Sequence, residues 1–123
     1  MARRKINIYL ILSLIYMVLI FYLSSSRLEM SVSSFSSWDK MVHLGVYGIL
    51  ASLVYLTLQE MNVRKSYVLI LAFTISFLYG ISNEIHQHFV PWRNAEISDV
   101  MANGIGAFCF PLVLWLRTHY QRR

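Results

Sequence analysis

Four apolar runs free of lysine, arginine, aspartate and glutamate, residues 6–23, 41–59, 66–83 and 100–116, restrict this chain more than any other feature. Each is about 17 to 19 residues long, enough for a helix to cross the hydrocarbon core of a bilayer. Lipid offers no partner for a bare backbone N–H or C=O, so a spanning segment is a helix or a strand of a closed barrel. The runs lack the in–out alternation of barrel strands, and the chain therefore reads as an all-α, polytopic bundle of four transmembrane helices. With their polar ends included, the spans are residues 6–23, 41–59, 66–88 and 99–116, separated first by a serine-rich outer loop, residues 24–38. Of the 123 residues, 57% are hydrophobic and 14% charged, against about 25% charged in ordinary soluble domains. One domain accounts for the whole length, with no room for a separate soluble catalytic domain.

The first run follows a basic segment, as the core of a signal peptide does. Its 18 apolar residues exceed the roughly 7 to 15 of such a core, and no A-x-A site follows, so it reads as a span. Residues 61–65 are too few for anything but a tight turn, which makes spans two and three an antiparallel hairpin. Pro91 and its neighbours mark a second turn between spans three and four.

Orientation follows from the cations. Arg3, Arg4, Lys5, Arg64, Lys65, Arg117, Arg122 and Arg123 fall at one end of the spans, and the bias of basic residues towards the cytoplasm puts both termini on the cytoplasmic side of a cell membrane. Arg27, Lys40 and Arg93 fall at the other end, together with Glu29, Asp39, Glu84, Glu96 and Asp99. Trp38 and Trp92 near the outer ends and Trp115 near the inner end suit the interfacial belts. The net charge of +5 is divided between termini and a short turn, which argues against a nucleic-acid partner. Cys109 is the sole cysteine, so no intrachain disulfide and no zinc-finger spacing exists.

Three polar stripes interrupt the apolar pattern, all at the outer ends. Asp39, His43 and Tyr47 recur every four residues at the start of span two, one face of a helix, with Lys40 beside them. Glu84, Gln87 and His88 share a face at the end of span three, and Asp99, Asn103 and Gly106 share one at the start of span four. Polar groups avoid lipid tails, so the stripes are expected to converge on a polar cavity open to the outside. Each member also has a structural explanation. Asp39 and Asp99 stand in first helical turns, where a carboxylate answers free N–H groups and the positive dipole end, and Gly104 and Gly106 permit close helix packing. Glu84, at a helix C-terminus that disfavours an anion, needs a partner, for which Arg93, Lys40 and His43 are candidates. His43 is expected to bond to Glu84 or Asp99. The run EIHQH suggests metal ligation by Glu84, His86 and His88, but the two histidines point about 200° apart around a helix and no HExxH pattern occurs. No metal and no cofactor is assigned on this basis.

The segments DKMVHLGVYGIL, NEIHQHFVPWR and SDVMANGIG, with LSSS after the first span, resemble the VanZ-like family over most of the chain. The matching positions are Asp39, Lys40, His43, Tyr47, Glu84, Gln87, Pro91, Arg93, Asp99, Asn103 and Gly106. His86 and His88 stand outside the pattern. The resemblance implies an association with reduced susceptibility to teicoplanin, a glycopeptide that carries a fatty acyl chain, although many relatives have no evident link to antibiotics.

Three functional classes compete. The first is a headgroup site for an anionic envelope lipid, a lipid-linked precursor or an acylated glycopeptide, with Lys40 and Arg93 holding the anion and Asp39, Tyr47, Gln87 and Asn103 contributing to binding. The second is an enzyme in which His43 with Glu84 or Asp99 exchanges protons with a lipid-linked substrate. The third is a structural bundle that the cluster only locks. Four short spans leave little room for alternating access, and the first span is expected to be a wall.

Overall fold

The computed structural model describes residues 6–26, 36–91 and 96–121, with only the backbone of 36–38. Arg27, Glu29, Trp92 and Arg93 lie outside the described residues, as do the basic residues at both extreme termini and the side chain of Trp38. The elements are α1 (Ile8–Ser25), α2 (Ser36–Glu60), α3 (Lys65–His88) and α4 (Ile97–Tyr120). All four are long and apolar enough to cross a membrane. They overrun the apolar windows read from the sequence: α2 starts five residues before 41, and α4 ends four residues after 116. The serines placed in the first loop are divided accordingly, with Ser24 and Ser25 in α1 and Ser36 in α2. The reason is length. A 24-residue helix is about 36 Å long, and its last turns stand in the interfacial layer, where polar side chains carry no penalty.

Two helix ends have a clear local cause. Asn7 begins α1 by accepting from Leu10 N–H at 3.1 Å, which satisfies one of the donors a helix start leaves free. α2 stops at a Schellman turn. Val63 N–H returns to Leu58 O at 3.1 Å and Asn62 N–H to Gln59 O at 3.0 Å. Asn62 takes the left-handed φ of 57° that this turn demands, a conformation asparagine tolerates better than most residues. The result is the tight α2–α3 hairpin expected at residues 61–65.

Hydrogen bonds between helices fix their directions. Asn7 at the start of α1 donates to Thr57 O near the end of α2 at 3.1 Å, so those two are antiparallel. Ser24 at the end of α1 donates to Asn83 Oδ1 near the end of α3 at 2.8 Å, so those run together. His43 near the start of α2 meets Asn103 near the start of α4 at 3.1 Å, which makes α2 and α4 parallel. The bundle runs up, down, up, down, and α2 lies at its centre, touching the other three.

Tyr47, Leu50, Val54 and Tyr55 of α2 pack on Val68 and Ala72 of α3. The broadest interface is α2 with α4, and glycine makes it possible. A Cβ on Gly106 would lie 2.0 Å from Leu44 O, and one on Gly48 would lie 2.5 Å from the Phe110 ring. Gly104 faces Phe77 in the same way, at 2.8 Å. Small residues thus bring backbones together where lipid supplies no hydrophobic drive.

α1 is the outermost helix. Among the described residues it touches α2 and α3 but not α4, and it buries only Ser13, Ile20 and Ser24. Its fastenings are polar: Ser13 Oγ to Thr57 Oγ1 at 3.2 Å, Tyr16 OH to Val46 O at 2.9 Å, and Tyr79 OH to Met17 O. The first span is the wall the sequence suggested, held on by hydroxyl groups.

Candidate functional site

The end of the bundle where α1 finishes and α2 begins gathers the polar stripes. Helical spacing aligns Asp39, His43 and Tyr47 along α2, and the glycine-mediated approach of α4 brings Asp99 and Asn103 against them. His43 Nδ1 lies 3.1 Å from Asn103 Oδ1, and its Nε2 lies 3.6 Å from Asp39 Oδ1. Asp39, His43 and Asp99 each offer a ligand atom, all within 4.8 Å of one another. The contact from His43 is to Asn103 and Asp39, where the sequence reading looked to Glu84 or Asp99. The reason is register: parallel α2 and α4 set the second member of each polar stripe, His43 and Asn103, side by side.

Lys40 does not stand free to meet an anion. Its Nζ lies 3.2 Å from Glu96 Oε2 and 3.4 Å from buried Asp99 Oδ1, so it bridges the first turn of α2 to that of α4. Asp99 makes this ion pair where a helix cap was expected, and Glu96, the N-cap of α4, has no side-chain cap bond. Donation from Lys40, then from Ser98, lowers the Glu96 carboxyl below the ordinary 4.5. A depressed folded value means that the stabilisation is fully present above the unfolded value and is lost as the pH falls through the lower, folded one. Acidification below the ordinary glutamate range is therefore expected to release this bridge. Melting curves of the wild-type protein and Glu96→Gln should converge there, and separate, with the wild type higher, towards neutral pH.

Glu84 obtains its partner from the backbone. Oε1 accepts Glu96 N–H at 3.1 Å, which ties the end of α3 to the start of α4, while the side chain is buried and Oε2 has no hydrogen-bond partner. None of Lys40, His43 or Arg93 serves it among the described residues, since Lys40 and His43 are engaged elsewhere and Arg93 lies outside them.

Two residues carry more than the sequence reading gave them. Asn83 donates to Tyr47 OH at 2.9 Å and accepts from Ser24 Oγ at 2.8 Å, linking α1, α2 and α3 in one buried chain. Gln87 adds a long 3.5 Å donation to Ser24 O. The spacing of Asn83 four residues before Gln87 was the available signal. His86 turns towards α1, where it meets Ser25 Oγ at 2.9 Å and the Phe21 ring at 4.6 Å between centroids. His88 is exposed beside Phe89. His86 faces away from the cluster, and His88 lines a shallow groove on its far side with Glu84 and Glu96.

Between α1 and α2 a groove of about 90 Å³ descends from this cluster. Tyr16, Leu19, Ile20, Leu23, Val42 and Val46 form its apolar walls, and Asp39, His43, Tyr47, Asn83 and Gln87 line its polar part.

No curated protein and no solved structure matches the chain. A family model described as VanZ/LLP1 matches residues 7–118, which takes in α1 to α3, all but the last two residues of α4 and every described residue of the cluster, and the chain is therefore a membrane protein that belongs to the VanZ/LLP1 family.

Proposed function

We propose that the protein holds the headgroup of an amphiphile at the polar cluster, with the acyl chain lying in the groove between α1 and α2. The observation that carries this reading is the groove itself, apolar along its walls and polar where Asp39, His43 and Gln87 line it. That division matches the two halves of a lipid. The cation bias of the sequence supports an outward-facing cluster and cytoplasmic termini, so the ligand is drawn from the outer leaflet. An anionic envelope lipid, a lipid-linked precursor and an acylated glycopeptide such as teicoplanin all have this form.

Photo-crosslinking tests it. A phosphatidylglycerol carrying a diazirine in its acyl chain is expected to label Leu19, Leu23 and Val46, and Val46→Trp, which fills the groove, should cut that labelling about tenfold. Uniform labelling around the bundle would sink the reading. If the site also handles acylated glycopeptides, Val46→Trp should abolish whatever shift in teicoplanin susceptibility the protein confers on a bacterial host.

One observation favours catalysis as a second reading. His43, held by Asn103 and 3.6 Å from Asp39, is an oriented imidazole beside a carboxylate, the equipment of a general base. Asp99 is within reach of the same centre, and Glu84 is the remaining candidate acid. Turnover of a lipid-linked substrate that survives in folded His43→Ala would end this reading.

A further inference from the structure

We propose that Asp39, His43 and Asp99 form a binding site for a divalent cation of the zinc or manganese class. The three ligand atoms come from two helices and lie within 4.8 Å of one another. Ligands about 2.0 to 2.2 Å from a common ion stand roughly 3 to 4.3 Å apart, so small side-chain shifts complete the set.

His43 has the placement of a ligand that joins the two helices. Its Nε2 lies 3.6 Å from Asp39 Oδ1, and its Nδ1 lies 3.1 Å from Asn103 Oδ1. With a metal ion on Nε2, Nδ1–H would donate to Asn103, the outer-shell contact that metal-bound histidines regularly make.

Buried carboxylate points the same way. Glu84 is 5% exposed and its Oε2 has no hydrogen-bond partner among the described residues, while buried Asp99 shares the cluster with Asp39. A bound dication would offset this negative charge. One imidazole with two carboxylates suits zinc or manganese, and three protein ligands leave a further position open. Asp39 and His43 line the groove, so on the amphiphile reading a phosphate oxygen of the headgroup would take that position, while Lys40 swings wholly to Glu96.

The test is equilibrium dialysis of the metal-free protein in detergent against zinc chloride, and separately manganese chloride, with bound metal counted by mass spectrometry. One equivalent is expected, with affinity falling at least tenfold in His43→Ala and in Asp99→Asn. His86→Ala and His88→Ala should bind as the wild type does. Cobalt substitution supplies a readout on the wild type alone, since ligation by nitrogen and oxygen gives visible d–d absorption that zinc should displace. Absence of stoichiometric metal on the folded wild-type protein overturns the proposal, as does binding that His43→Ala and Asp99→Asn leave intact. Metal bound in the absence of lipid crosslinking keeps the cation site and defeats the headgroup reading. Crosslinking by a protein that binds no metal does the reverse.

Discussion

Gly106→Ala is expected to destabilise the bundle by on the order of 3 kcal/mol, because overpacking in a tight interface commonly costs about 1 to 3 kcal/mol and more where backbone must move. The added methyl would come within 2.0 Å of Leu44 O. That atom belongs to a helix already fixed by its own hydrogen-bond ladder, so relief requires α2 and α4 to separate. Separation would pull His43 from Asn103 and Asp39 from Asp99, and the site would be lost with the packing. Gly45→Ala is the control. Nothing lies within 4 Å of a Cβ there, so that change should be neutral or stabilise by up to about 1 kcal/mol through helix propensity. Thermal unfolding in detergent of the two single variants should separate them by roughly 3 to 4 kcal/mol. Equal melting would show that the α2–α4 approach is looser than described.

Asn83→Leu is expected to cost about 2 kcal/mol, the second largest effect. Interhelical hydrogen bonds in membranes are worth about 0.6 to 2 kcal/mol each, and Asn83 makes two, with Ser24 and with Tyr47. Leucine also removes the partner of the buried Tyr47 hydroxyl, while Ser24 Oγ keeps its bond to Phe21 O. Part of the loss falls on α1, whose end is tied to α3 through Ser24, so a cysteine introduced at exposed Leu19 or Phe21 should change its labelling rate in Asn83→Leu. Ser24→Ala should cost less, about 1 kcal/mol. A double-mutant cycle between positions 24 and 83 gives the coupling directly, and a value near zero would contradict the shared bond.

Much of this architecture was legible in the runs themselves. Apolar length dictated four helices, the five residues 61–65 dictated a hairpin, and helical spacing put Asp39, His43 and Tyr47 on one face. The convergence of the α2, α3 and α4 stripes at one end followed from the cost of polar groups in lipid, and α1 as a wall followed from its lack of a stripe. Partner choice was not legible. Lys40 was read as free for a ligand, yet Glu96 and Asp99 hold it, because the register of two helices 56 residues apart in sequence is set by a glycine contact and not by local pattern. Glu84 found a backbone N–H where a cation was sought, since the path of the α3–α4 connection has no signature in single residues. Ser13, Thr57 and Asn83 were hidden because lone hydroxyl or amide groups inside an apolar run leave its average almost unchanged, and Ser24 was assigned to the outer loop although it closes α1.

The position of α1 has a consequence for how the protein enters the membrane. α1 is the most apolar of the four spans and the least buried, so it can stand in lipid before any partner exists. α4 cannot do so on equal terms, because Asp99 and Asn103 are buried only once α2 is beside them. The chain order suits this difference: the self-sufficient helix emerges first, and the dependent one arrives after the surface that shelters its polar face has already been inserted.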